Sequence, residues 1–189
     1  TTPPPAAQSS VADVSAITQA LKVNTCLTYL DVLESWVSDD DLGVWADALF
    51  LNEKSELKFL RCDAFQIGPS DTEVQFANAT SEIGYGGTKL IAAILRKNNK
   101  IEEVDASNKN LPPEAIEIYA VVLKVNTNLK RVNLSGNGLK PEDPASETAC
   151  VNMGLALKEN TSLRELNMDG HFLPVKALKG VEPKTPNIE

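Results

Sequence analysis

The sequence has one histidine, three cysteines and few aromatic residues, and each scarcity excludes a class of function. A lone histidine without a neighbouring nucleophile, and cysteines without metal-ligand spacing, predict neither an enzyme nor a metal site. The odd number and wide separation of Cys26, Cys62 and Cys150 favour reduced thiols in the cytoplasm. No apolar run approaches the roughly 18 residues of a membrane span, so no such span is expected.

Positive charge is also in short supply. The 189 residues carry a formal net charge of -8, which disfavours nucleic acid as a partner because phosphate binding needs clustered Lys and Arg. Residues 1–7 have neither the basic start nor the apolar stretch of a signal peptide. Hydrophobic residues make up 42% of the chain, enough for the core of one domain.

An internal repeat organises the chain. Residues 20–30 (ALKVNTCLTYL), 122–132 (VLKVNTNLKRV) and 156–166 (ALKENTSLREL) resemble one another, and looser copies occupy 48–60 and 93–104. Each copy is typical of a helix end, an asparagine-containing turn and a short strand. The first strand residues of successive copies are 30, 44, 28 and 34 residues apart: Leu27, Leu57, Ile101, Leu129 and Leu163.

The fourth copy illustrates the local physics. Apolar residues at helical spacing end at Asn126, which is predicted to adopt the left-handed conformation that terminates helices. Alternation then places Val132 and Leu134 on the buried face of a strand, and Arg131 and Asn133 on its open face.

The same copy carries a family resemblance. Residues 129–139 (LKRVNLSGNGL) match LxxLxLxxNxL, the leucine-rich-repeat signature, with Val132 at the second site. The ALKxNTxL pattern resembles the ribonuclease-inhibitor class and also the repeats of tropomodulin. The resemblance covers about residues 10–175. It implies an α/β fold: a short solenoid with about five parallel strands on its concave face and helices on its convex face.

The repeats also predict the domain limits. The leucine-rich-repeat domain is expected to span residues 9–180, with insertions near 65–83 and 140–146. Proline-rich segments 1–8 and 181–189 are predicted to be flexible. Five helices are expected between the strands, and a short sixth helix near residues 173–178.

The signature asparagine occurs in frame only at Asn137. The equivalent positions hold Ser35, Phe65, Lys109 and His171. We therefore expect the turns after the other strands to be held by different groups, and His171 to be a structural residue.

Two polar patterns receive structural interpretations. Residues 84–87 (GYGG) lack the lysine and hydroxyl of a phosphate loop and are predicted to form a turn with positive φ. Asp39, Asp40 and Asp41 lack the alternating spacing of calcium ligands and are predicted to cap the helix that they begin.

The open strand face is the candidate functional site. Alternation assigns to it Tyr29, Asp31, Phe59, Arg61, Glu103, Asp105, Arg131, Asn133, Glu165 and Asn167. Since Tyr, Phe and Arg commonly anchor interfaces, Tyr29, Phe59 and Arg61 are predicted to anchor a partner protein. The charged residues equally suit a solvated surface, and the two aromatic rings can stack on each other.

The family resemblance implies a non-catalytic protein-binding module or scaffold without cofactors, in the cytoplasm or on the cytoskeleton. One alternative is a structural subunit of a large assembly, contacted through the convex helices, the insertion, the terminal tails and Trp36. A narrower alternative is a tropomodulin-like protein that binds an actin filament end. All three interpretations predict a protein partner and neither nucleic acid nor a membrane span.

Overall fold

The computed structural model describes residues 11–77, 83–140 and 142–170, in which helices alternate with short strands. The helices are α1 (Val11–Val23), α2 (Asp39–Leu51), α3 (Tyr85–Leu95), α4 (Pro113–Val125) and α5 (Pro144–Glu159). The strands are β1 (Tyr29–Asp31), β2 (Phe59–Arg61), β3 (Phe65–Ile67), β4 (Gln75–Phe76), β5 (Glu103–Asp105), β6 (Arg131–Asn133) and β7 (Glu165–Asn167). The five helices and the five repeat strands lie where the repeats predict them, whereas β3 and β4 are additional.

The strands form two small sheets instead of one row of five parallel strands. β5, β6 and β7 pair in parallel, and so do β1 and β2. On its other side β2 pairs with β3, and β3 with β4, both antiparallel. The expectation of a single parallel row is therefore corrected: the first sheet is mixed because inserted residues pair with the edge of β2 that faces away from β1.

The insertion near residues 65–83 thus contributes two strands. After β3, the carboxylate of Asp71 holds the turn by accepting a hydrogen bond from Gly68 N at 2.6 Å. The chain then reaches the second sheet, where Glu73 bridges to Glu103 in parallel and Val74 N donates to Glu103 O at 3.2 Å. Two strand positions therefore lie between β2 and β5.

Aliphatic side chains fill the core between strands and helices. The central strand residues Leu60, Val104 and Val132 are at most 1% exposed. Trp45 and Tyr119 are the large aromatic side chains that the helices bury. Because burying a large apolar side chain contributes about 1.5–3 kcal/mol, this core is the main force that holds helices against strands.

Asparagine side chains at the helix ends connect the repeats. Asn126 has φ -82° and ψ 123°, so the predicted left-handed conformation is wrong. Its side-chain oxygen instead accepts hydrogen bonds from the N–H groups of Asn128 and Leu129, each at 2.8 Å. Its amide donates to Leu95 O and Asn98 O at 2.7 and 3.3 Å. The side chain therefore closes the turn after its own helix and also binds the preceding repeat.

The same arrangement recurs along the chain. We call Asn24, Asn52, Asn98, Asn126 and Asn160 the asparagine ladder. The Asn52 amide donates to Leu21 O and Asn24 O, and that of Asn160 to Leu123 O and Asn126 O. Asn98 donates to Lys58 O at 2.8 Å. All four amides thus donate to carbonyl groups earlier in the chain.

Turns after the strands are held by side chains from the following repeat. Asn137 Oδ1 accepts hydrogen bonds from the N–H groups of Lys109 and Leu111, both at 3.0 Å, in the turn after β5. Asp63 has the same function in the turn after β1. The expectation that turns without their own signature asparagine are held by other groups is confirmed for the turn after β1. It is wrong for the turn after β5, which the signature asparagine Asn137 of the following repeat holds.

Two glycines bring α2 and α3 into close contact. A Cβ on Gly86 would lie 1.8 Å from Asp39 O, and one on Gly43 would lie 3.3 Å from the Gly86 Cα. The Asp39 carboxylate accepts hydrogen bonds from Gly86 N and Gly87 N at 2.9 and 2.7 Å. The prediction of positive φ in the GYGG segment is therefore wrong, because this segment is a helix start without positive φ. Asp39, Asp40 and Asp41 lie in the first turn of α2 as expected, but Ser38 is its cap and Asp39 caps α3 instead.

Several predictions fall on residues outside the described ranges. These are the flexible segments 1–8 and 181–189, the structural role of His171, and the short helix near 173–178. The proposed domain limits of 9–180 also fall outside the described residues at both ends.

Candidate protein-binding face

The ten residues predicted for the open face occupy the outer positions of the five repeat strands. Each of these strands has three residues, and its central side chain points into the core while the first and third point away. The structure therefore places all ten on one side of their strands, but in two groups with β3 and β4 between them.

Strand register arranges these residues in two rows. The first-position row contains Tyr29 beside Phe59, then Glu103, Arg131 and Glu165 as neighbours in turn. The third-position row contains Asp31 beside Arg61, then Asp105, Asn133 and Asn167. Because paired strands are about 4.8 Å apart, neighbouring side chains within a row are close enough to interact.

Four side chains of the third-position row hold the turn that follows their strand. In each, the Oδ1 atom accepts a hydrogen bond from the backbone N–H two residues later, at 3.0 or 3.1 Å: Asp31 from Leu33, Asp105 from Ser107, Asn133 from Ser135 and Asn167 from Asp169. This pattern is an Asx turn. These four residues therefore have a structural function of their own, whereas the first-position row has no such bond.

Arg61 is the exception in the third-position row. A guanidinium has no acceptor atom and cannot form an Asx turn. After Arg61 the chain turns back into β3, and Cys62 N donates to Phe65 O at 3.0 Å. The Arg61 side chain lies 3.8 Å from the carboxylate of Asp31 on the neighbouring strand, a loose and exposed ion pair.

The half of the face formed by β1 and β2 is aromatic. Tyr29 is 40% exposed, and Phe59 is half-buried against the core. The two residues are paired in register, which makes their rings neighbours. The Tyr29 hydroxyl donates to Asp31 Oδ2 at 3.2 Å. Desolvation and the Asp31 carboxylate raise the pKa of Tyr29, so the hydroxyl remains a donor at neutral pH.

A restrained tryptophan extends this aromatic half beyond β1. Trp36 is 67% exposed and has φ 51°, in the left-handed region that bulky residues avoid. Glu34 is also left-handed, with φ 61°. The Asp63 carboxylate accepts hydrogen bonds from the N–H groups of Glu34 and Trp36, each at 2.9 Å. The indole is therefore presented by a turn that a neighbouring repeat holds in place.

The half formed by β5, β6 and β7 is charged. The Arg131 Nε donates to Glu103 Oε2 at 2.9 Å, and Glu165 attracts the same guanidinium from β7. The hydrogen bond to Glu103 is the main cause of the raised pKa of Arg131, which keeps it charged. Lys130 and Glu102 form a second ion pair before the strands begin, at 2.5 Å.

A shallow depression of about 90 Å³ opens on this charged half. It is lined by Glu103, Asp105, Arg131, Val132, Asn133, Glu165 and Asn167. Desolvation raises the pKa of Asp105, but hydrogen bonds from Ser107 and Asn133 and attraction to Lys109 outweigh that effect and lower it. Asp105 is therefore an anion at neutral pH.

Sequence reasoning missed the polar residues that connect the two halves. Gln66 of β3 lies beside the last residue of β2, and Gln75 of β4 lies beside Gln66. Glu73 then lies beside Glu103 of β5. The available pattern was the alternation around Gln66, which has a buried side chain on either side, as expected of a strand.

Lys109 attaches the inserted strands to the second sheet. It occupies a position where the repeat signature has asparagine, and its side chain is only 2% exposed. Its Nζ lies 5.0 Å from the ring centroid of Phe76 in β4, a cation–π contact. Desolvation lowers the pKa of Lys109, and attraction to Asp105 opposes that effect.

Other chemistry is limited in the described ranges. Those residues contain no group of three or more His, Cys, Asp or Glu side chains that could hold a metal ion. None of their helices is both long enough and apolar enough to cross a membrane. Burial raises the pKa of Cys62 and Cys150. Cys26 is exposed, whereas Cys62 and Cys150 are buried.

Comparisons with known proteins address the repeat directly. Residues 125–143 match the family described as Leucine Rich repeat. A comparison with curated proteins finds no match. Among solved structures, the chain is similar to leiomodin-1 actin-binding site 2, with a TM-score of 0.47, 17% identity, and coverage of 87% of this chain and 82% of that one. It is also similar to the tropomodulin C-terminal domain of Caenorhabditis elegans, with a TM-score of 0.47, 14% identity and coverage of 89% of each chain. The family match confirms the leucine-rich repeat that contains β6 and Asn137.

Proposed function

Because this chain carries leucine-rich repeats, we propose that it is a non-catalytic protein-interaction module that binds a partner protein through its strand face. In this arrangement the repeat strands line the concave side of a short solenoid and the helices its convex side. Tyr29, Phe59 and Arg61 anchor the partner, and the other predicted face residues extend the surface across β5, β6 and β7.

The paired rings of Tyr29 and Phe59 carry this proposal. They are adjacent in register, and Tyr29 is 40% exposed although its strand neighbours are packed against a core. A large aromatic side chain held in place by a rigid strand loses little conformational entropy on binding. Arg61 supplies a guanidinium on the same two strands, and Arg and Tyr are among the residues that most often dominate interface energies.

Truncation of both rings tests the anchor. A partner is first recovered with the wild-type chain by affinity purification and identified by mass spectrometry. The double variant Tyr29→Ala/Phe59→Ala is expected to raise the Kd for that partner at least about thirty-fold, the effect of losing about 2 kcal/mol at a hot spot. Isothermal titration calorimetry measures the Kd, and circular dichroism verifies the fold.

A matched control removes apolar surface from the helices. Val121 and Leu155 are 45% and 44% exposed on α4 and α5. The variant Val121→Ala/Leu155→Ala is expected to leave the Kd within about two-fold of the wild-type value. An unchanged Kd for the Tyr29 and Phe59 variant, with the fold intact, contradicts the proposed anchor.

A second candidate function is that of a structural subunit in a larger assembly. The observation that favours it is the exposure of Trp36, which is the most exposed aromatic side chain among the described residues. Trp36 lies in a turn that Asp63 holds in place. Gel filtration tests this function. It is supported over the first if the Trp36→Ala variant no longer elutes with a large complex while the Tyr29→Ala/Phe59→Ala variant still does.

Actin is the third candidate partner, suggested by the resemblance of the ALKxNTxL copies to tropomodulin repeats. A filament pelleting assay together with an elongation assay at the filament end decides it. If the chain neither co-sediments with actin filaments nor changes their elongation rate, actin is excluded as the partner.

A further inference from the structure

We propose that the charged half of the strand face receives a basic, extended segment of the partner protein, with a Lys or Arg side chain seated between Asp105 and Glu165. This inference rests on the proposed protein-binding function and specifies the chemistry of the partner. It is carried by the charge balance of β5, β6 and β7, by the shape of the depression, and by the distance to the aromatic half.

The charge balance of this half is negative. Of the residues that line the depression, Glu103, Asp105 and Glu165 are carboxylates and Arg131 is the one cation among them. The Arg131 guanidinium is hydrogen-bonded to Glu103 and so is largely neutralised. Lys109 attracts Asp105 from a site that is only 2% exposed. Glu165 is exposed and forms no ion pair within 4.0 Å among the described residues, although it attracts Arg131 at longer range.

The shape of the depression selects a side chain over a free small molecule. Its volume of about 90 Å³ is well below the roughly 300 Å³ at which ligand pockets begin. Val132 is 1% exposed with its side chain in the core, so the floor is formed by the β6 backbone, and the rim is formed by carboxylate and amide groups. Such a site fits the cationic end of one Lys or Arg side chain against its rim, while the apolar stem lies along the neighbouring side chains.

The distance between the two halves defines the spacing within the partner. β3, the β4 segment and β5 lie between β2 and β6, which gives four strand spacings of about 4.8 Å, or roughly 19 Å in total. An extended polypeptide covers about 3.3 Å per residue. An apolar residue at the aromatic half and a basic residue in the depression are therefore about six residues apart in one partner segment.

Two synthetic peptides test this inference on the full chain. The basic peptide has a Leu-Trp pair followed, six residues later, by a Lys-Arg pair; its acidic twin has Glu-Glu in place of Lys-Arg. Fluorescence anisotropy measures both Kd values in about 50 mM salt, where a Debye length of more than 10 Å preserves surface electrostatics. We expect the basic peptide to bind at least about ten-fold more tightly, and this preference to shrink in 300 mM salt.

Substitutions then locate the effect. Glu165→Lys is expected to reduce the preference for the basic peptide about ten-fold, and Glu165→Gln by a smaller factor. Glu159→Lys at the end of α5 makes the same change in net charge on the helix side and is the matched control. It is expected to leave the preference unchanged, because the effect is local.

The outcomes separate this inference from the proposed function. Tyr29→Ala/Phe59→Ala is expected to weaken both peptides, and its failure to do so removes the aromatic anchor. Equal binding of the two peptides by the wild-type chain, no binding of the basic peptide, or equal effects of Glu165→Lys and Glu159→Lys each overturn the basic-segment proposal.

Discussion

The two halves of the strand face are built from the same repeat but differ in regularity and in chemistry. β5, β6 and β7 form an uninterrupted parallel sheet, and each ends in an Asx turn. β1 and β2 are paired in the same way, but only β1 ends in an Asx turn. The one repeat strand that ends in arginine, which cannot form an Asx turn, is also the one followed by the additional hairpin.

The helices do not share this division. α2 and α3 lie on either side of the interruption, yet the Gly43 and Gly86 contact brings their backbones together, and Asp39 caps the next helix across the gap. The core is likewise one continuous cluster. The sheet is therefore interrupted where the helix layer is closest, so the two halves are expected to unfold together.

The largest expected effect comes from adding a side chain to the close contact between α2 and α3. Gly86→Ala places a Cβ 1.8 Å from Asp39 O, and neither backbone can yield easily. We expect a loss of about 3 kcal/mol or more in the free energy of unfolding, as for severe overpacking. Urea denaturation followed by circular dichroism measures it.

Gly138→Ala is the control for this substitution, because its Cβ would lie 3.9 Å from its nearest neighbour, Leu111 O, in ordinary contact. It is expected to change stability by less than about 0.5 kcal/mol. Equal effects of the two substitutions contradict the close helix contact. Two separate unfolding transitions in the wild-type chain contradict the joint unfolding of the halves.

The next largest effect is a difference in stability loss between two members of the asparagine ladder, Asn126 in the regular half and Asn24 at the start of the chain. Asn126 is 4% exposed and makes four hydrogen bonds through its side chain. Asn126→Ala leaves those buried groups without partners and is expected to cost about 3 kcal/mol. Asn24 is half-buried, and its side chain accepts two hydrogen bonds. Asn24→Ala is expected to cost about 1 kcal/mol. A larger loss at Asn24 in chemical denaturation contradicts this ranking.

The smallest effect tests the third-position row through pH. Because the pKa of Asp105 is lowered in the folded chain, the stabilisation it provides is present above its unfolded pKa of about 3.9 and is lost as pH falls through the lowered value. Asp105→Asn keeps an acceptor for the Asx turn but does not titrate. Between pH 6 and pH 3 the urea midpoint of the wild-type chain is expected to fall more steeply than that of the variant. Parallel curves show that Asp105 has no such role.

Much of the fold follows from sequence because repetition supplies five independent observations of one pattern. The helix and repeat-strand positions depend on local spacing of apolar residues, which one chain displays directly. The backbone conformations of Asn126 and of the GYGG segment were mispredicted because each depends on another repeat. Asn126 bonds to a carbonyl group of the preceding repeat, and the GYGG segment packs against Gly43.

The candidate face was predictable to the same degree. Alternation identifies which side chains point outward, and the ten predicted residues occupy the first and third positions of the five repeat strands. Alternation does not distinguish a side chain that holds a turn from one that does not. Asn133 and Glu165 were therefore predicted in the same way, although only Asn133 holds a turn. The connection through Gln66 and Gln75 depends on pairing between distant strands, which local spacing does not encode.

The asparagine ladder also gives the molecule a direction of assembly. The amides of Asn52, Asn98, Asn126 and Asn160 donate to carbonyl oxygens that precede them in the chain. During synthesis a repeat therefore emerges with acceptors still open, and these are filled only when the asparagine of the next repeat leaves the ribosome. Each repeat completes its predecessor, so a chain interrupted early ends in an unfinished unit.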